Sequence, residues 1–79
     1  MNNFVVYSKS GCPYCDKAKQ ILEMTGQTYT EYKLGIDFTR EEFYNEFGPG
    51  STFPRVVLGE QLIGGCKETV EWLQEQKII

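Results

Sequence analysis

Two cysteines, Cys12 and Cys15, stand in "SGCPYCDKAK" with only Pro13 and Tyr14 between them. Thiols at that spacing can cycle as a dithiol–disulfide couple or supply part of a metal site. A structural zinc needs a full set of Cys or His ligands, and this chain has three cysteines and no histidine. The metal alternative is an iron–sulfur cluster shared between two copies, each lending a thiolate. Pro13 stiffens the loop against wrapping an ion. The missing histidine also excludes Ser–His and Cys–His nucleophile pairs. Redox chemistry is the favoured reading, and no metal ligands are assigned.

The elements around the pair sharpen it. "NFVVYS" (3–8) is rich in β-branched and aromatic residues and predicts a buried strand. Pro13 suits a first helical residue, which needs no N–H partner. "PYCDKAKQILEMTG" then places Ala18, Ile21 and Leu22 on one face, with Gly26 as the stop. Cys12 is thereby expected at a helix N-cap, where the N–H groups of Tyr14 and Cys15 and the helix dipole favour the thiolate. Lys9 adds positive charge just upstream. Cysteines in such settings ionise well below the free value of about 8.5. Cys12 is read as the exposed nucleophile and Cys15, a turn inside, as the buried resolving partner. A low pKa weakens attack by the thiolate itself, but it makes Cys12 a good leaving group from a mixed disulfide.

The rest of the chain supplies a scaffold. "TYTEYKL" alternates like a strand. In "FTREEFYNEFG", Thr39 and Glu42 have capping-box spacing, and Phe38 and Phe43 are placed for a hydrophobic staple. Phe43 and Phe47 are expected to face the core together, and Gly48 to end the helix. "PGSTFP" reads as a loop, and "RVVL" and "QLIG" as strands joined at Gly59-Glu60. "CKETVEWLQEQKII" reads as a last helix with Val70 and Leu73 on its apolar side and Trp72 packing along it. The order βαβαββα predicts a single α/β domain over residues 1–79, a four-stranded mixed sheet covered by helices. Its first two strands should be parallel through a right-handed crossover and its closing hairpin antiparallel.

Composition narrows the setting. The chain has 79 residues and a net charge of -3, which argues against a nucleic-acid partner. No apolar run approaches the roughly 18 residues of a membrane span. "MNNFVVYSKSG" lacks the marks of a signal peptide, so a cytoplasmic protein with no membrane partner is expected. Three cysteines are too few for a stapled secreted fold, and in a reducing compartment a close pair is catalytic more often than structural.

With "CPYC" at 12–15, "TFP" at 52–54 and "GGC" at 64–66, the whole chain resembles the glutaredoxins. The resemblance implies a thioredoxin-like fold and electron transfer from glutathione to protein disulfides and glutathionylated proteins, with Cys12 and Cys15 catalytic. It implies a cis peptide at Pro54 and pairing of glutathione with the backbone of Phe53, beside Thr52. It places the γ-glutamyl carboxylate near Gly64, Gly65 and the helix that opens at Cys66. It gives Lys9 the glycyl carboxylate, lets Tyr14 pack on the ligand, and sets Lys67 beside it. No permanently bound cofactor is implied, only glutathione as reductant. The expected state is a monomer, and ribonucleotide reductase is among the candidate clients. Ser51 stands where many members have a basic residue, and Lys67 where many have Asp or Ser. Those departures feed the alternative of a redoxin recharged by thioredoxin reductase without glutathione. Cys66 is read first as a small packing residue, and Lys17 and Lys19 as a solvated face with a lesser role in steering acidic partners.

Overall fold

The computed structural model describes residues 3–78. Met1 and Asn2, from the stretch read for a leader, and Ile79, the end of the expected last helix, lie outside the described residues. The elements are β1 (Phe4–Ser8), α1 (Pro13–Met24), β2 (Tyr29–Lys33), α2 (Arg40–Phe47), β3 (Arg55–Leu58), β4 (Gln61–Gly64) and α3 (Cys66–Glu75). This is the order expected from the sequence. The strands form one mixed sheet, β2-β1-β3-β4, with β1 and β2 parallel and β3 antiparallel to both β1 and β4.

The central strand sets two different faces. Phe4, Val6 and Ser8 of β1 are buried on one side, so Val5 and Tyr7 project to the other. On the first side Phe4 and Val6 meet Val56, Ala18, Leu22 and Leu73, none more than 1% exposed. Burying a side chain such as Leu22 fully stabilises the fold by about 1.5–3 kcal/mol. Trp72 packs edge-on against Phe4, with ring centroids 5.6 Å apart. Ser8 and Glu31 bind this side to β2 and α1. The Glu31 carboxylate accepts from the Ser8 hydroxyl at 2.6 Å and from the Lys19 ammonium at 2.8 Å. Burial works against the charged Glu31, but those two donors override it and hold its carboxyl below the usual range.

Helix α2 covers the second face. Its capping box is complete: the Glu42 N–H donates to Thr39 Oγ1 at 3.1 Å, and the Thr39 N–H to Glu42 Oε1 at 2.8 Å. Phe38 stacks on Phe43 at 5.7 Å, as a staple should. Phe43 and Phe47 do point the same way, but they meet Tyr7 at 6.4 and 5.0 Å rather than the aliphatic cluster. The sheet therefore has two separate apolar layers where one was expected.

Two expectations for the last helix need correction. Its buried residues are Thr69 and Leu73, while Val70 is only partly covered and lines a surface groove. Thr69 can be buried because its hydroxyl donates to the Gly65 carbonyl at 2.8 Å, leaving its methyl to pack. The helix also stops at Glu75 instead of running on through "QKII". Lys77 has φ 59, and the Ile78 N–H donates back to the Leu73 carbonyl at 2.9 Å, which closes the last turn.

Candidate active site

Beyond β1 the chain runs through Lys9 and Ser10 to Gly11, whose φ of 70 turns it into α1. Cys12 is the N-cap, with extended φ -112 and ψ 100, and Pro13 occupies the first turn as its missing N–H allows. Cys12 and Cys15 are joined by a disulfide, their Cα atoms 5.2 Å apart. Cys12 is 7% exposed and Cys15 1%, so the expected order of access holds although both lie largely covered. Cys12 Sγ accepts from the Cys15 N–H at 3.2 Å. Of the two donors expected on that sulfur, Cys15 is thus the one engaged in this oxidised state. Lys9 is also placed differently. Its ammonium lies 5.4 Å above the Phe53 ring, a cation–π contact, rather than at the sulfur.

The loop before β3 carries the expected cis peptide, Phe53–Pro54. A groove of about 550 Å³ collects Tyr14, Thr52, Phe53, Pro54, Gly65, Cys66 and Lys67, all of them site residues expected from the sequence. Lys9 reaches it only through the face of Phe53. Lys17, Ile21, Glu68 and Val70 complete the wall. Tyr14, Lys17 and Ile21 follow a three-then-four spacing along α1, and Cys66 and Val70 lie four apart on α3, so helical periodicity already marks these additions. Tyr14 is 62% exposed, an aromatic face open to the groove.

The Gly-Gly pair has a use within the chain itself. Glu68 folds back so that Oε1 accepts the Gly65 N–H at 2.8 Å. A Cβ on Gly64 would sit 2.7 Å from the Glu68 Cβ, and Gly64 has φ 128. Only glycine fits there. The N-terminus of α3, a natural anion site, is thus already touched by a carboxylate of its own chain. Burial pushes the free Cys66 thiol above its ordinary pKa, with Lys17 pulling down and Glu68 up, so it faces the groove protonated at neutral pH. Ser51 has a local task as well. Its hydroxyl lies 2.8 Å from the carbonyls of both Phe47 and Gly48 and closes the end of α2.

Among the described residues no group of three or more His, Cys, Asp or Glu side chains is placed to hold a metal ion. No helix among those residues is long and apolar enough to cross a membrane.

A dithiol at a helix N-terminus beside a cis-proline loop, on a sheet of this order, defines a thiol–disulfide oxidoreductase of the thioredoxin-like class. Comparison with known proteins narrows the class. The glutaredoxin family model matches residues 4–63. A glutaredoxin of Vernicia fordii is 36% identical over 81 residues, spanning 99% of this chain and 78% of that protein. The crystal structure of glutaredoxin 1 from Francisella tularensis superposes with a TM-score of 0.81 at 27% identity, covering 99% of this chain and 98% of that one. The buckwheat glutaredoxin–glutathione complex does so at 0.74 and 29%, covering 98% and 73%. The chain belongs to the glutaredoxin family.

Proposed function

We propose that the protein reduces protein disulfides and glutathione mixed disulfides, with glutathione as its electron source. The observation that carries this reading is the groove in which Tyr14, held between the two disulfide-bonded cysteines, meets the Thr52–Pro54 loop and the opening of α3. The similar buckwheat protein was crystallised with glutathione.

The chemistry runs from the reduced dithiol. The Cys12 thiolate attacks one sulfur of a client disulfide, forming a mixed disulfide and releasing the client's other sulfur as a thiolate. Cys15, once deprotonated, attacks Cys12 Sγ, which frees the client's second thiol and gives the Cys12–Cys15 disulfide. Two glutathione molecules then restore the dithiol and leave as glutathione disulfide. On a protein–glutathione mixed disulfide Cys12 suffices. It takes the glutathione sulfur, the protein leaves as thiolate, and a second glutathione displaces Cys12. The extended glutathione backbone pairs with Phe53, as a strand adds to an edge, Tyr14 packs on it, and Gly65 to Lys67 receive the γ-glutamyl end. Lys9, drawn from Phe53, meets the glycyl carboxylate.

The deciding assay is reduction of a cysteine–glutathione mixed disulfide by wild type and Cys15→Ser, with glutathione and glutathione reductase as the supply. Turnover by both is expected. Silence from both sinks the glutathione reading. One observation favours the second reading, a redoxin recharged by thioredoxin reductase. The Gly65 N–H is held by Glu68, and Lys67 stands beside it. Reduction by thioredoxin reductase together with that silence would establish it.

A further inference from the structure

A second cavity of about 380 Å³ opens on the α2 face. Tyr7, Phe43 and Phe47 form its floor, and the exposed Asp37, Glu42 and Glu46 stand at its rim. Tyr7 meets Phe38 and Phe47 at interplanar angles of 68° and 72°, so the rings do not close on one another as parallel stacks would. Ring faces carry negative charge density, and carboxylates above them add to it.

The local charge is unbalanced. Between Ile36 and Gly48 the chain has four carboxylates and one cation, Arg40. The Arg40 guanidinium is taken up with the Tyr44 hydroxyl at 3.4 Å. Asp37 accepts the Lys33 N–H and Glu42 the Thr39 N–H, each at 2.8 Å. The ion pairs among the described residues, Lys19 with Asp16 and with Glu31, leave all three rim carboxylates without a cation. Arg55 lies opposite Tyr7 in the sheet but does not line the cavity. Burial, and then the Glu46 carboxylate, raise the Tyr7 hydroxyl's pKa, so it stays neutral.

We infer that this cavity receives a basic side chain, arginine or lysine, of the protein whose disulfide the Cys12–Cys15 pair reduces. The inference rests on the reading of the chain as a reductant of protein disulfides. Phe53 links the two sites. It lines the redox groove and stacks at 4.2 Å on Phe43, which lines the cavity, so one pair of rings joins groove to cavity. A client strand laid along Phe53 passes from one to the other. A large cationic side chain enters the space, covers ring faces and offsets part of the rim's negative charge.

The test uses the oxidised full chain, isotope-labelled, and extended peptides with serine in place of the target cysteine. One position at a time carries arginine or its neutral isostere citrulline. At one position the arginine peptide should bind about 2- to 5-fold tighter, shifting Tyr7, Phe43 and Phe47 resonances. Glu46→Gln should remove most of that preference while turnover of the cysteine–glutathione mixed disulfide stays at the wild-type rate. Equal binding of both peptides at every position overturns the inference, as do shifts confined to Thr52–Pro54. Lost turnover in Glu46→Gln overturns it too, because Glu46 would then act on the redox site. Arginine preference in a wild-type chain that ignores glutathione would uphold the cavity and remove glutathione as the reductant.

Discussion

The two faces of the sheet are built from different materials. Under α1 and α3 the side chains are mostly aliphatic and interlock around six that are no more than 1% exposed. Under α2 they are aromatic, with Tyr7, Phe38, Phe43 and Phe47 meeting at centroid distances from 5.0 to 6.4 Å and leaving a cavity. Branched aliphatic chains fill space in many directions, whereas flat rings meeting edge to face leave wedges between them. The first face holds the helix that carries the dithiol, and movement there would misplace sulfur atoms. The second carries no redox residue, so it has latitude for recognition. Charge differs as well, with Lys17 and Lys67 outnumbering Glu68 around the redox groove and Asp37, Glu42 and Glu46 around the aromatic cavity.

The sharpest way to break this contrast is at the sulfur atoms. Cys12→Ser should reduce turnover of every disulfide to the uncatalysed background. Cys15→Ser should keep reduction of glutathione mixed disulfides and lose reduction of protein disulfides, as seen by parallel assays on both substrates. A Cys15→Ser protein inactive with the glutathione substrate would show that Cys12 is not sufficient, and the mechanism would need both thiols throughout.

Stability separates the faces next. Leu22→Ala, in the closed layer, should cost about 2–5 kcal/mol. Phe47→Leu, at the wall of the open layer, should cost about 1 kcal/mol, since a half-covered side chain leaves less of a void. Urea unfolding of both variants compares them directly, and equal losses would mean the α2 face is as tightly packed as the other.

The polar tie of the first face gives a smaller, pH-dependent effect. Glu31 titrates below the usual range in the folded chain, so its contribution is complete above the unfolded value of 4.5 and disappears as the pH falls through the lower folded value. Glu31→Gln should therefore lose about 1–2 kcal/mol at pH 7 and much less at pH 3, read as the difference in urea midpoints. An equal loss at both pH values would mean that shape rather than charge makes the tie.

What was legible in the sequence follows the same physics. Local signals carried most of the fold: the Thr39–Glu42 box, Pro13 at a helix start and the β-branched, aromatic run of β1 all act within a few residues. The redox groove was legible because residues of all three motifs, Tyr14, Thr52 to Pro54 and Gly65 with Cys66, line it. The division of the apolar residues into two layers was not, since "face the core" does not say which side of a sheet. The α2 cavity was missed for that reason, although the Phe43–Phe47 spacing was seen. Thr69 was missed because a threonine reads as polar until its hydroxyl has a carbonyl to meet. The early stop of α3 depends on a left-handed Lys77, which no glycine announced.

The smallest expected effect lies where the groove meets α3. Glu68 Oε1 holds the Gly65 N–H, one of the donors that a glutathione carboxylate would take. A fixed negative charge there repels an arriving anion, and a charge at a helix N-terminus is worth about 0.3–1 kcal/mol. Glutamine keeps the shape and can still accept from Gly65 through its carbonyl oxygen, but it carries no charge. Glu68→Gln should accordingly lower the KM for glutathione about 2- to 5-fold and leave kcat unchanged, because no reacting atom is touched. Measured against increasing salt, the gap between variant and wild type should narrow as the charge is screened. A KM that rises instead would mean that Glu68 swings out to meet the α-ammonium of glutathione, making it a binding group rather than an internal competitor. The direction of one KM change thus decides whether the carboxylate at Gly65 guards the groove or serves it.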